Sequence, residues 1–77
     1  MEKRILNLSY KKLFKKLIDL DMPHYELMER ANVGRSTFYK LKNGENVTTD
    51  VLLRICNALD CDISEIVACE EVEEEQV

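Results

Sequence analysis

The chain has 77 residues, of which 45% are hydrophobic and 34% are charged, and its formal net charge at pH 7 is −4. This length allows one small domain with a single modest core. No apolar run approaches the roughly 18 residues that a membrane-spanning helix needs, and nothing resembles a signal peptide. We therefore expect a soluble, cytoplasmic protein.

The charge is divided unevenly along the chain. Residues 1–44 contain ten Lys and Arg against five Asp and Glu, a net +5. Residues 45–68 contain one cation, Arg54, against five acids, a net −4, and residues 69–77 contain five Glu and no cation, a net −5. Because a binding partner responds to the local field, the first half is the candidate face for a nucleic acid.

Residues 1–8 show no helical pattern and are predicted to form an N-terminal arm. In this arm Lys3 and Arg4 could reach a phosphate backbone, whereas the apolar residues could pack or pair with another strand. Ser9 is a suitable N-cap for a first helix at about 10–20. The predicted buried face of that helix consists of Tyr10, Leu13, Phe14, Leu17 and Ile18.

The opposite face of this helix carries four lysines in two i, i+4 pairs: Lys11, Lys12, Lys15 and Lys16. Like-charge pairs at this spacing weaken an isolated helix. Two explanations stay open, namely that the lysines keep the protein soluble or that they attract the phosphates of a nearby nucleic acid.

Residues 24–44 are predicted to form two short helices, 24–31 and 35–42, joined by a tight turn. Asn32 tolerates the left-handed backbone that such a turn needs, and Gly44 suits the end of the second helix. Pro23 separates the first helix of the pair from the preceding one. The predicted packed residues are Leu27, Met28, Ala31, Val33, Phe38 and Leu41.

The second half continues with a predicted helix at 49–59, capped by Thr48 or Thr49. Its apolar face consists of Val51, Leu52, Ile55, Cys56 and Leu59. Asp62 and Glu65 have the spacing of a capping box and predict a last short helix at 63–67. The sequence thus predicts an all-α fold with five helices in one domain at 9–68, followed by an acidic tail at 69–77 that is too polar to pack.

No catalytic or metal-binding pattern is present. The three cysteines, Cys56, Cys61 and Cys69, form no C-x-x-C pair, and the only histidine, His24, is far from them in sequence. We interpret them as reduced structural thiols and expect neither a metal nor a cofactor. No Ser/His/Asp arrangement and no phosphate-binding glycine loop can be placed, so the protein is predicted not to be an enzyme.

The second helix of the pair, 35–42, has a polar face with hydroxyls, a phenol and three cations but no carboxylate. Arg and Lys donate to guanine edges, and Ser and Thr can pair with most bases. An ordinary solvated face would mix charges of both signs, so this composition favours contact with a nucleic acid. The residues of this face are Arg35, Ser36, Thr37, Tyr39, Lys40 and Lys42.

The stretch HYELMERANVGRSTFYKLKNG resembles the DNA-binding helix-turn-helix of the Cro and lambda-repressor-like regulators, the Xre family. The following run, VTTDVLLRICNALDCDISEIV, is similar to the remaining helices of the small members, and the resemblance covers about Tyr10 to Val67. The chain departs from the family at four positions, which are His24 for Gln, Met28 for Ala, Asn32 for Gly, and Gly34 for Ser or Thr.

The resemblance implies a small sequence-specific DNA-binding regulator of transcription, with repression as the expected role. Helix 35–42 would lie in the major groove. The implied base-contacting residues are Arg35, Ser36, Tyr39 and Lys40. The implied phosphate-contacting residues are His24, Thr37, Lys42 and Asn43. The family also implies a homodimer on a two-fold operator, although no residue here identifies the dimer surface.

Two alternatives follow from the acidic second half and the acidic tail at 69–77, through which a partner protein could bind. The fold could serve as a protein-interaction module that binds a basic partner, or the protein could be an antitoxin that binds both DNA and a partner protein. Retention on heparin or on random duplex DNA at low salt would distinguish a DNA-binding protein from a pure interaction module.

Overall fold

The computed structural model describes residues 5–72 and contains four α-helices and one small antiparallel sheet. The elements, in chain order, are β1 (Ile5–Ser9), α1 (Lys11–Asp19), α2 (His24–Ala31), α3 (Arg35–Lys42), α4 (Thr49–Leu59), a 3₁₀ turn (Ile63–Glu65) and β2 (Ala68–Val72). Within the described residues, no helix combines the length and apolar character that crossing a membrane requires.

The prediction of an all-α fold with five helices is wrong in two respects. The segment predicted as the fifth helix, 63–67, contains only the 3₁₀ turn, although its predicted capping box is present between Asp62 and Glu65. The second difference is the sheet, in which β1 pairs with β2 so that Ile5 lies opposite Val72 and Ser9 opposite Ala68. Isolated pairs this short are marginal in water, and periodicity over five residues does not reveal them.

The sheet joins the two ends of the described chain. Residues 5–8 of the predicted arm belong to β1, so the strand-pairing alternative is the one observed. Residues 69–72 of the predicted tail belong to β2. The boundaries of arm, domain and tail stay predictions, and Lys3, Arg4 and residues 73–77 lie outside the described residues.

All four helices end in the same way, with a residue in the left-handed region followed by a backbone hydrogen bond that spans six residues. The left-handed residues are Asp21, Asn32, Gly44 and Asp60, with φ of 54°, 56°, 73° and 53°. The closing bonds run from Met22 to Leu17, Val33 to Met28, Glu45 to Lys40 and Cys61 to Cys56, at 2.8–3.1 Å. This is the Schellman motif, which satisfies carbonyls that the helix end would otherwise leave unpaired.

One core joins the four helices and the segment after the 3₁₀ turn. Its fully buried large side chains are Leu13, Leu17, Leu27, Leu41, Ile55 and Ile66. The predicted face of α1 is correct for Tyr10, Leu13 and Leu17 but wrong for Ile18, which is 74% exposed, while Phe14 is half-buried. Ile18 lies at the edge of this face, since it is about 100° around the helix from the buried Leu17.

Helix starts are partly as predicted. Thr48 caps α4, since its hydroxyl accepts a hydrogen bond from the Val51 N–H at 3.3 Å. The N-cap of α1 is Tyr10 and not Ser9, whose hydroxyl accepts only a long bond of 3.4 Å from the Lys11 N–H. Tyr10 is buried and donates its hydroxyl to the Glu45 carbonyl at 2.9 Å, and this burial raises the pKa of its phenol. The start of α1 is thereby tied to the loop that follows α3.

Candidate nucleic-acid interface

The turn between α2 and α3 is built by its own residues and held by α4. Asn32 adopts the left-handed conformation, and Val33 is buried behind it. Arg54 of α4 donates a hydrogen bond to the Asn32 carbonyl and pairs with Asp50 at 3.0 Å. This brace was not apparent from the sequence, because nothing in the spacing of Arg54 connects it to a turn that lies 22 residues earlier.

Helix α3 presents one packed side and one exposed side. Phe38 and Leu41 are buried, and Thr37 is half-buried beside them. At about 3.6 residues per turn, the middle of the exposed side consists of Arg35, Ser36 and Tyr39, with Lys40 and Lys42 at its two edges.

This exposed side is free to meet a ligand. Tyr39 is 63% exposed. Within residues 5–72, the side chains of Arg35, Lys40 and Lys42 make no ion pair or hydrogen bond with the protein. Three cations on one side of a two-turn helix therefore have no internal counter-charge.

His24 begins α2 and lies in a group of three aromatic rings. Its ring centroid is 5.5 Å from that of Phe14 on α1 and 5.0 Å from that of Phe38 on α3, and the two phenylalanine rings are 5.7 Å apart, edge to face. Such pairs prefer edge-to-face or tilted arrangements. The imidazole is thus held by both neighbouring helices while the residue stays exposed at the start of α2.

The four lysines of α1 differ in their surroundings, which the sequence could not indicate. Lys11 pairs with Glu70 of β2 at 3.0 Å, Lys12 donates to the Ser64 carbonyl at 3.1 Å, and Lys16 pairs with Glu65 at 2.9 Å. Lys15 has no such partner among the described residues. Three lysines of α1 are therefore engaged by the acidic second half of the chain.

The ion pair between Lys16 and Glu65 shifts both groups towards their charged forms. The hydrogen bond from Lys16 raises the pKa of its ammonium group. The backbone N–H of Asp62, and after it Lys16, lower the pKa of the Glu65 carboxyl. Asp62 itself has a lowered pKa because the side chain and the backbone N–H of Ser64 hydrogen-bond to its carboxylate. These groups form a polar cluster beside α1, away from the exposed side of α3.

Lys15 borders the depression formed with Lys16 and Glu65 and also lines a shallow groove between α1 and the end of α3, together with Lys11 and Glu70. Lys42 and Asn43, two of the residues expected to contact phosphate, line the same groove, with Phe14 and Leu41 among its apolar residues. Lys15 is thus a candidate contact that the sequence did not single out, since all four lysines of α1 look equivalent there.

The structure places six of the eight predicted site residues in two groups, with Thr37 and, at the start of α2, His24 apart from them. Arg35, Ser36, Tyr39 and Lys40 share the exposed side of α3, whereas Thr37 lies on the packed side. Lys42 and Asn43 lie near the end of α3, about 10 Å along the helix axis from Arg35. The described residues contain no cluster of three or more acidic, His or Cys side chains that could hold a metal, and their three cysteines are free thiols.

Comparisons with known proteins agree with this geometry. Residues 12–71 match the model of the Cro/C1-type helix-turn-helix DNA-binding domain. The chain is also similar to the crystal structure of the transcriptional regulator VanUg, Form II, with 43% sequence identity and a TM-score of 0.85 over 94% of this chain and 96% of that one. Among curated proteins there is no significant match. The protein belongs to the Cro/C1-type helix-turn-helix DNA-binding family.

Proposed function

We propose that this protein is a sequence-specific regulator of transcription, acting as a repressor in the cytoplasm, and that α3 reads the major groove. The observation that carries the proposal is the exposed side of α3, where Arg35, Lys40 and Lys42 have no partner within the described residues. The similarity to VanUg, a transcriptional regulator, supports the regulatory role.

The contacts divide by their position on the helices. Arg35, Ser36 and Tyr39 at the middle of the exposed side, together with Lys40, contact base edges. Arg is suited to guanine O6 and N7, and serine can pair with several bases. Lys42 and Asn43 near the end of α3 contact phosphates and set the register of the helix in the groove.

Two further phosphate contacts come from outside the exposed side of α3. His24 lies at the start of α2, where exposed N–H groups and the helix dipole favour an anion, and its ring is held in place by Phe14 and Phe38. Thr37 is assigned to phosphate by its position in the motif, and its half-buried side chain leaves it less reach than its neighbours.

We add Lys15 to the phosphate contacts. It lines the same groove as Lys42 and Asn43. Unlike Lys11, Lys12 and Lys16, it has no ion-pair or hydrogen-bond partner among residues 5–72. A cation without an internal partner releases more counterion charge from DNA than one that is already neutralised.

The test is a selection of bound sequences from a random duplex library, followed by affinity measurements across a salt series. A repressor that binds as a homodimer should select two-fold symmetric sites, with half-sites about one helical turn apart. The selected site should bind at least about a thousandfold more tightly than random duplex. Equal affinity for all sequences would contradict specific recognition, and a single unpaired half-site would contradict the homodimer.

The alternative of a protein-interaction module or antitoxin relied on the acidic second half. Two of its acids, Glu65 and Glu70, are engaged with lysines of α1 and are less available to a partner. We therefore favour the DNA-binding regulator. Retention on random duplex DNA at low salt, lost on replacing Arg35 and Lys40 by alanine, would separate it from a module that binds only protein.

A further inference from the structure

The end of α4 brings two cysteines into a defined relation. In a Schellman motif, the residue after the left-handed one hydrogen-bonds back across six residues, and the side chains at the two ends of that bond commonly touch. At the ends of α1 and α2 these positions hold Leu17 with Met22 and Met28 with Val33. At the end of α4 they hold Cys56 and Cys61, whose backbone bond is 3.1 Å long.

The surroundings of the two thiols differ in accessibility. Cys56 is buried in the core, 8% exposed, whereas Cys61 is half-buried. Burial raises the pKa of the Cys61 thiol, and the neighbouring Cys56 raises it further; Glu65 acts in the same direction and Lys16 of α1 in the opposite one. The backbone bond at the end of α4 therefore joins a buried thiol residue to a partly accessible one. Cys69 is separate, on the exposed side of β2 opposite Leu8.

We propose that Cys56 and Cys61 are a reversible oxidation site, at which a peroxide converts the two thiols into an intramolecular disulfide across the end of α4. A disulfide requires the two Cβ atoms to be adjacent and correctly directed. The six-residue hydrogen bond of the Schellman motif brings the two backbones together at this place. No movement of one element relative to another is needed to bring the cysteines within reach.

The reaction proceeds in two balanced steps. Cys61, the more accessible of the two, loses its proton, and its thiolate attacks one oxygen of the peroxide. The O–O bond breaks and a sulfenic acid forms; with hydrogen peroxide the leaving hydroxide takes up the proton that the thiol lost and becomes water. The sulfur of Cys56 then attacks the sulfur of Cys61, the S–O bond breaks, and a second water leaves with the proton of Cys56. Two thiols are oxidised, and one hydrogen peroxide is reduced to two waters. A dithiol reductant reverses the change by exchange.

The environment of Cys61 determines the rate. Because its pKa is raised, little thiolate is present at neutral pH and oxidation is slow. The thiolate fraction, and with it the initial rate of the first step, should rise about tenfold per pH unit as long as the pH stays below that pKa.

The experiment uses the reduced full-length protein treated with hydrogen peroxide and then with an alkylating reagent. We expect the intact mass to fall by two hydrogen atoms, two of the three cysteines to become protected from alkylation, and peptide mapping to join Cys56 to Cys61. The Cys69→Ser variant should form the same disulfide, and dithiothreitol should restore all thiols. The Cys61→Ser variant, which leaves the core residue Cys56 intact, should form no intramolecular disulfide.

Three outcomes would overturn the proposal. The first is a disulfide that maps to Cys69, and the second is a product that consists only of disulfide-linked dimers. The third is oxidation of Cys61 to sulfinic acid while Cys56 stays open to alkylation after denaturation. DNA binding is not the readout, so the result is independent of the function proposed above.

Discussion

Helices α1 and α3 carry similar numbers of cations but use them differently. Of the four lysines of α1, three are held by Glu70, the Ser64 carbonyl and Glu65, all from the acidic second half. The cations of α3 have no such partners among the described residues. The comparison shows that the number of lysines on a helix does not indicate a nucleic-acid face, because their availability depends on what the fold places opposite them.

The acidic second half thus has a structural use. It neutralises the side of α1 that faces β2 and the 3₁₀ turn and leaves α3 unopposed. This division explains why a chain with a net charge of −4 belongs to a DNA-binding family. In the proposed complex, DNA meets the field of the exposed side of α3, whereas whole-chain charge averages over every surface of the protein.

The largest expected effect is a loss of stability when the ring that links α1 to α2 and α3 is removed. Phe14 links α1 to α2 and α3 through its ring contacts. Replacing a fully buried phenylalanine by alanine lowers the free energy of unfolding by about 3–5 kcal/mol. Because Phe14 is only half-buried, we expect Phe14→Ala to lower it by about 2–3 kcal/mol. Ile18→Ala is the matched control on the same helix, and its 74% exposure predicts little change. Denaturant unfolding measures both; similar losses would contradict the assigned face of α1.

The next effect tests α3 directly. Arg35→Ala should weaken binding to the preferred site by about 1–3 kcal/mol and relax the preference at one base position, since a bidentate arginine–guanine pair is worth that much. The control is Arg30→Ala, because Arg30 already pairs with Glu26 at 2.7 Å. The measurement is the affinity of the wild type and both variants for the selected site and for single-base variants of that site. Equal weakening on every sequence would instead make Arg35 a phosphate contact.

A third measurement tests whether Lys15 differs from the other lysines of α1, which have partners within the protein. Lys15→Ala should weaken binding to all duplexes alike and reduce the slope of log affinity against log salt by about 0.9, the value for one phosphate contact. Lys12→Ala removes the same charge from the same helix, but Lys12 donates a hydrogen bond to the Ser64 carbonyl. The salt slope of this variant should therefore change less. Equal changes for the two variants would show that only net charge matters.

A smaller effect concerns the starts of α1 and α3. In neither helix does the side chain of the N-cap residue accept a hydrogen bond from the first turn. The N-cap of α3 is Gly34, and a Cβ added there meets no atom within 4 Å. Gly34→Ser should therefore stabilise the protein by a few tenths of a kcal/mol, because the new hydroxyl can accept a hydrogen bond from the first turn of α3. Thermal unfolding measures the gain, with Gly34→Ala as the control that adds a side chain without a cap. A larger gain for alanine than for serine would contradict capping.

The smallest effect is a pH dependence at the ion pair of α1. The lowered pKa of Glu65 means that its contribution to stability is present above the ordinary carboxyl pKa and is lost as the pH falls through the lowered value. Glu65→Gln retains an acceptor for the Asp62 N–H but loses the pair with Lys16. It should be slightly less stable than the wild type at pH 7 and equal to it in acid. Glu29→Gln, at an exposed position without an ion pair among residues 5–72, should show no such convergence.

The sequence by itself determined the bounds of three helices and the exposed side of α3. The bounds of α2, α3 and α4 agree with the predicted ranges, because apolar periodicity, Pro23, Thr48 and the left-handed positions at Asn32 and Gly44 are local signals. The exposed side of α3 followed from the same periodicity. Local chemistry fixes such features, since each depends on residues within about two turns of one another.

Tertiary structure alone decided the remaining features, because each joins residues that are far apart in sequence. The sheet pairs the two ends of the described chain, and Glu70 reaches Lys11 across 59 positions. Arg54 braces a turn 22 residues away. Ile18 has the spacing of a core residue yet is exposed, since periodicity tells which residues share a face but not how wide a stripe of that face is covered. Nor does periodicity distinguish the four lysines of α1. Only the folded chain shows that three of them have partners in the second half, whereas Lys15 has none among the described residues.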